Sequence, residues 1–326
     1  MCRSLQMHDG VPDLSVILVS FNTARLLDPV LEALRRSIGS RRAEIIVVDN
    51  ASSDDSVTIM RVRHSDCRLI VNPINVGFGR ANNQAAQFAR GRYILLLNTD
   101  AFVCADTIDR TLTFMDDHPT CGILGVKLVG SDGGVQPSCR FFPTPWNTFL
   151  QATGMARLFP RTQLVDDVDW DPDIRRECDW VPGCYYLIRR EVIDRVGLFD
   201  PRYFLYCEEV DHCWSVKNAG WQVVYFPDTT VCHLGGESAR ALGPVTATGR
   251  QISALQIESE LLFFRKHLGR VGLATAVALS AIAQLLLATK AIIRRRSWRL
   301  ARDEIRYFTS LSRIVLRSDF GTKPTR

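Results

Sequence analysis

Three apolar runs, each closing on polar residues, constrain this chain more than any other feature. LSVILVS (residues 14–20), the run Glu44–Val48 and YILLLN (residues 93–98) alternate with segments of helical pattern near Leu26–Arg36, around Ser56–His64 and from Arg80 to Ala89. A shorter run, Arg68–Val71, reads as a further strand. Continuous apolar runs, as opposed to strict alternation, belong to strands covered on both faces, and strands interleaved with helices build a parallel sheet. The expected class is therefore α/β. Ligands of such sheets bind beyond the carboxyl ends of the strands, and there this chain carries Ser20-Phe21-Asn22, Asp49-Asn50 and Asn98-Thr99-Asp100.

Composition narrows the rest. A chain of 326 residues, 46% hydrophobic and 23% charged, is no disordered tail, collagenous chain or disulfide scaffold, and it can bury a large core. Its ten cysteines form no C-x-x-C pair, and those in apolar runs, such as Cys104 and Cys184, are expected as buried, reduced thiols. The first residues lack the apolar stretch of a secretory signal, so the body is expected in the cytosol. Charge is uneven: residues 261–326 hold 14 Lys/Arg against 3 Asp/Glu, whereas the first 260 hold 26 against 32. An anionic surface would meet the tail.

Four constellations carry chemistry. Asp100, two residues past an apolar strand and beside Asn98, reads either as an oxygen ligand for a divalent cation or as a cap of the next helix. In FLYCEEVDHCWSVKNAGW, Glu208, Glu209 and Asp211 open a helix whose Trp214 and Val216 are expected to face inward. Capping explains acids at a helix start. Crowded carboxylates also raise one another's pKa, which suits a general base near neutral pH. His233, following the expected strand WQVVYF, reads as an ordinary satisfied histidine unless a cation sits at Asp100. Gly77 and Gly79, in NPINVGFGRANNQAA between a strand and a helix, fit a phosphate cradle. The spacing is not the dinucleotide fingerprint, because position 82 is Asn.

Together SVILVSFN, IIVVDNASSDDS, NPINVGFGRANNQA, YILLLNTDA, WVPGCYYLIRREVIDRVGLFD, LYCEEVDHCWSVKNAGW and CHLGG resemble glycosyltransferase family 2. The likeness runs from about Asp13 to Gly236 and is closest to the rhamnosyltransferase type. It implies a GT-A, Rossmann-like, mostly parallel central sheet with helices on both faces, followed by a helical basic tail. The implied division is a nucleotide-sugar transferase domain at 1–250 and a membrane-associating region at 251–326. It implies donor contacts at Asp49, Asn50, Asn75, Gly77, Asn82 and Asn98, and Mg²⁺ or Mn²⁺ at Asp100 with help from His233. It places Trp180, Gly183 and Asp211 on the acceptor side, with Arg140 facing either substrate. The base is Glu209 or Glu208: the family typically has Asp where this chain has Glu209, which leaves the choice open.

The tail adds a lipid question. Residues 271–289 run without a charge, flanked by Arg265, Lys266 and Arg270 on one side and by Lys290 and Arg294-Arg295-Arg296 on the other. A single crossing sets one basic cluster outside, against the positive-inside tendency. Farther on, Trp298, Ala301, Ile305, Phe308, Leu311 and Val315 follow helical spacing among arginines, the pattern of a basic amphipathic helix on an anionic leaflet. Monotopic attachment or a shallow hairpin is the expectation; a span and a buried or oligomer-forming helix stay open.

The expected function is inverting transfer of a sugar, with dTDP-L-rhamnose as the expected donor, to a glycolipid or polysaccharide acceptor at the cytoplasmic face of the inner membrane. A non-catalytic sugar-nucleotide-binding or scaffold protein of the same fold is the alternative, resting on Glu at position 209. A nucleic-acid partner rests only on the basic tail, and the apolar stretch before it argues for lipid instead.

Overall fold

The computed structural model describes residues 10–166, 170–235, 254–293 and 298–326, with side chains described except at 291 and 298–305. The chain begins β1 (Leu14–Ser20), α1 (Ala24–Ile38), β2 (Ala43–Asp49), α2 (Ser56–Arg63), β3 (Arg68–Val71), α3 (Phe78–Ala86) and β4 (Tyr93–Leu97). Next come β5 (Ala101–Val103), α4 (Thr107–Asp117), β6 (Cys121–Val129), β7 (Val135–Gln136), α5 (Pro145–Thr153) and a 3₁₀ turn at Met155–Leu158. The remainder is β8 (Arg176–Glu177), β9 (Tyr185–Arg189), α6 (Arg190–Val196), α7 (Glu208–Asn218), β10 (Gln222–His233), α8 (Ala254–Ile293) and α9 (Trp298–Arg317). Helix α3 starts two residues before its expected position, directly at the glycine loop. Strand β10 is twelve residues long, so His233 ends it and does not follow it.

One mixed sheet runs β3-β2-β1-β4-β9-β6-β10-β5. The β3-β2-β1-β4 half is parallel, as the apolar runs predict. Strand β9 lies antiparallel between β4 and β6, pairing Leu97 with Tyr185, and β10 runs parallel to β6. This register has a direct consequence for function. The carboxyl ends of β1, β2, β4 and β10 share one edge with the amino end of β9. Asp49, Asn98, Asp100, Gly183 and His233 all lie there, although they are spread over most of the described chain.

Alternation along each strand feeds two cores. Leu14, Val16, Leu18, Val47, Leu95 and Leu97 pack with Leu27, Leu31 and Leu34 of α1 and Ile108 and Leu112 of α4. Ile17, Ile46, Val48, Ile94 and Leu96 pack on the opposite face with Ala81 and Ala85 of α3 and Val210, Cys213 and Val216 of α7. Each fully buried aliphatic side chain contributes about 1.5–3 kcal/mol. Leu262, Phe263 and Phe264 of α8 join that second core, so the start of α8 belongs to the body. The expected boundary at 250/251 lies outside the described residues. At Gly269 the backbone of α8 turns to φ 68°, breaking the helix into two arms. Val216 is buried as expected, whereas Trp214 is half-buried, its ring against Phe142, Phe263 and His267. Cys184 is buried, but Cys104, at the end of β5, is exposed.

Candidate active site

The donor-side loops are tied together before any ligand is considered. Asn50, just past β2, donates from Nδ2 to Asn75 Oδ1 at 2.8 Å and accepts from Asn72 Nδ2 and the Val76 amide at 3.1 and 3.0 Å. Asn75 Oδ1 also accepts from the Gly77 amide at 2.9 Å. Asn50 and Asn75, expected as donor contacts, therefore shape the glycine loop with these groups. Asp49 accepts from the Ser52 amide at one oxygen, while its buried Oδ2 has no hydrogen-bond partner. Asn82 donates to the Phe78 carbonyl, and its buried Oδ1 likewise has none.

Gly77 is required twice over. Its φ is +89°, and an added Cβ would lie 2.4 Å from the Phe204 carbonyl oxygen. That carbonyl accepts from the Phe78 amide at 2.8 Å, joining the glycine loop to the segment that leads into α7.

Tyr206 and Cys207 enter α7 at φ 72° and 64°, and Asn22 and Ala51, after β1 and β2, are also left-handed. Four such non-glycine residues beside one sheet edge mark stored backbone strain, which collects at functional sites.

The first turn of α7 divides its three acids. Glu208 points toward α3, its Cβ 3.6 Å from where a Gly79 Cβ would stand; Glu209 points toward Gly183, with the corresponding distance 4.0 Å. Each has a buried Oε2 without a hydrogen-bond partner. Burial, and then the Glu209 charge, hold Glu208 well above the usual carboxylate range. Burial also raises Glu209, but the Arg140 guanidinium pulls the other way. Arg140 is held by Asp166 at 2.6 Å and lies over the Trp180 ring at 4.6 Å. Trp180 is buried and donates Nε1 to the Phe141 carbonyl at 2.8 Å.

Asp211, expected on the acceptor side, has protein partners at both oxygens. Its Oδ1 accepts from His267 Nε2 at 2.6 Å and from the Tyr203 hydroxyl at 3.3 Å, and its Oδ2 accepts from Lys266 at 2.8 Å. Lys266, read from sequence as a flanking basic residue, is exposed but engaged by Asp211 and Asp200. His212, next in the motif, is structural: burial lowers its pKa to about 4. It donates Nε2–H to the Gly197 carbonyl and accepts the Tyr186 hydroxyl at Nδ1.

At the end of β10, His233 Nε2 lies 3.5 Å from Asp100. Gln136 brackets this histidine, accepting from Nδ1 at 2.9 Å and donating to the His233 carbonyl at 2.9 Å. With Nδ1 carrying the proton, the lone pair of Nε2 faces Asp100. A ligating histidine is typically fixed in this way through its other ring nitrogen. Asp100 and His233 thus fit a divalent cation that takes further ligands from a diphosphate, and no group of three potential protein ligands occurs among the described residues. Asn98 donates its amide to the Cys184 carbonyl at 3.0 Å. The buried Cys184 thiol is pushed up to about 12 by burial first, and then by Asp100 and, more weakly, Glu209. Both acids therefore act on one interior point. Gln136 and His267 carry no sequence signal, each standing in a segment without a motif.

A mixed sheet with a strained carboxylate helix, a glycine loop and an Asp–His pair along one edge is the layout of a GT-A glycosyltransferase. The mannosyltransferase of Pyrobaculum calidifontis in complex with GDP-Man and Mn²⁺ superposes with a TM-score of 0.53 at 17% identity, over 96% of this chain and 88% of that one. GalNAc-T7 with UDP, GalNAc and Mn²⁺ gives 0.54 at 16%, over 78% and 48%. Residues 15–164 match Glycosyl transferase family 2. N-acetylglucosaminyl-diphospho-decaprenol L-rhamnosyltransferase of Mycobacterium tuberculosis is 29% identical over 241 residues, 70% of this chain and 76% of the relative. The poly(ribitol-phosphate) beta-N-acetylglucosaminyltransferase TarS of Staphylococcus aureus is 27% identical over 164 residues, 48% of this chain and 28% of the relative.

Proposed function

We propose that this chain is an inverting glycosyltransferase of cell-envelope glycan synthesis. It moves a sugar, L-rhamnose from dTDP-L-rhamnose in our reading, onto a polyprenyl-diphosphate-linked saccharide or a polysaccharide. The carrying observation is the carboxylate pair, buried Glu208 and half-buried Glu209, whose buried Oε2 atoms share a sheet edge with Asp100, His233 and the glycine loop.

Glu209 is the base. Of two interacting carboxyls one ionises first, and it is the one beside a cation. Arg140 favours ionised Glu209, while the Glu209 charge keeps the proton on Glu208. The acceptor hydroxyl is a weak nucleophile, and removing its proton in the transition state contributes about 10²–10⁴-fold. The pair C–O bond formed and C–O bond broken at the anomeric carbon makes a single displacement, so configuration inverts and no enzyme nucleophile is needed. Asp100 and His233 would hold Mg²⁺ or Mn²⁺, which as a Lewis acid neutralises the departing diphosphate. Asp49 Oδ2 and Asn82 Oδ1 remain to accept from the nucleoside and sugar of the donor.

The second arm of α8 carries the attachment. The segment Ala254–Lys290 is long and apolar enough to cross a membrane by length and composition. Its Leu279 and Ala283 nevertheless pack on Phe149 and Leu150 of α5, and its Leu273 on Leu311 and Ile314 of α9. The uncovered flank exposes Ile282, Leu285 and Leu286, together with Trp146, Leu158 and Phe159 of the α5 region. Arg157, Arg161 and Lys290 are exposed near this flank in the chain. A helix covered on one flank by its own protein and apolar on the other suits the plane of an anionic leaflet, where a lipid-linked acceptor lies. The test is transfer from dTDP-L-rhamnose with Mn²⁺ to a polyprenyl-diphosphate-linked N-acetylglucosamine; a product of unchanged mass after exhaustive incubation with this and other nucleotide-sugars rejects the reading.

A further inference from the structure

The first arm of α8 grips the segment that carries the two reacting carboxylates. His267 is buried between the Trp214 and Phe263 rings, at 4.9 and 4.7 Å, and donates to Asp211 at 2.6 Å. Lys266 bridges Asp211 at 2.8 Å and Asp200 at 2.9 Å, and Asp200 is in turn clamped by Arg202 at 2.7 Å. Two turns earlier, Ser259 donates to the Leu205 carbonyl at 2.8 Å. Each of these hydrogen bonds thus lands on residues 200–211, the stretch containing the left-handed Tyr206 and Cys207 and the first turn of α7. Asp211 has partners at both oxygens, whereas Glu208 and Glu209, in the same turn, each keep a bare one. A strained entry persists only where its surroundings over-determine it, and this arm supplies the determination.

We propose that Asp211, Lys266 and His267 form a positioning lock, contributed by the tail, that sets where Glu208 and Glu209 stand relative to the substrates. Asp211 holds no substrate; it is the point at which α8 fixes α7. The lock rests on the glycosyltransferase reading for its kinetic consequence but not for its structural one. Loosening it displaces the base from the acceptor hydroxyl, while the nucleotide loops keep their own ties through Asn50 and Asn75.

His267→Ala is expected to lower kcat by about 10–100-fold, the scale of a displacement near 1 Å, with donor KM and donor binding within about twofold. His267→Gln, which restores a donor toward Asp211, is expected to recover most of that loss. Tyr203→Phe, which deletes only the 3.3 Å bond, gives a smaller fall of the same kind and serves if His267→Ala does not fold. A variant with wild-type kcat, whatever its melting temperature, overturns the lock, as does an equal loss of kcat and donor affinity. Amide hydrogen exchange at residues 208–211 tests the same lock without turnover: it should quicken about tenfold in His267→Ala, and unchanged exchange refutes it. Absence of wild-type transfer with quickened exchange would count against the function and not against the lock.

Discussion

His233 presents Nε2 to Asp100 at 3.5 Å while Gln136 holds the opposite ring nitrogen at 2.9 Å. Removing divalent cations with EDTA should therefore abolish transfer, and Mn²⁺ or Mg²⁺ should restore it. Asp100→Asn should lose the Mn²⁺-dependent thermal stabilisation by nucleoside diphosphate entirely. Gln136→Leu should weaken Mn²⁺ about 10–100-fold, the usual effect of losing an orienting partner. Calorimetric titration of the metal in the presence of nucleotide measures it.

Glu209→Gln should cut kcat by about 10²–10⁴-fold, the contribution of general-base catalysis, while donor binding persists. In the wild type the base must be ionised, and burial raises its pKa. The rate should therefore climb with pH along a limb lying above the ordinary carboxylate value near 4.3. A pH profile of kcat with saturating donor reads it directly.

Glu208→Gln should raise the melting temperature at pH 7–8. The folded pKa of Glu208 lies above its unfolded value, so the folded state binds more protons between the two. Stability contributed by this group is complete below about 4.3, where both states are protonated, and falls as pH rises through the folded value. The gain in the variant should accordingly shrink to nothing toward pH 4, which melting curves across pH will reveal.

Gly77→Ala should destabilise the fold by about 1–3 kcal/mol through its left-handed backbone alone, and the Phe204 carbonyl 2.4 Å from the new Cβ adds to this. Donor affinity should fall with it. Denaturant titration and nucleotide binding are the two measurements.

Leu285→Glu combined with Leu286→Glu should abolish flotation with vesicles containing anionic lipid. Soluble turnover on a water-soluble acceptor should stay within about twofold, since both side chains are exposed and surface changes of this kind rarely alter the fold.

Much of the parallel half-sheet was legible because its signals are local. LSVILVS is β1 residue for residue, and Arg68–Val71 is β3. Asp49, Asn98 and Asp100 end apolar runs, so the edge they share follows from strand direction alone. The antiparallel β9 and β5 carry no such mark, because strand direction depends on connections through an irregular middle. The pairing of Asp211 was hidden for a related reason: its partner His267 lies 56 residues further along the chain. Gln136 sits in GGVQPS, where nothing distinguishes a histidine-orienting amide from any loop residue.

The break at Gly269 decides where this polypeptide can be shortened. A truncation guided by hydropathy stops before residue 254 and discards Lys266 and His267, the partners of Asp211, along with the apolar segment. Stopping a few residues beyond Gly269 keeps those two residues but strips away α9, whose Leu311 and Ile314 pack on Ile257 and Leu261 of the first arm, so the brace itself rests on the last helix.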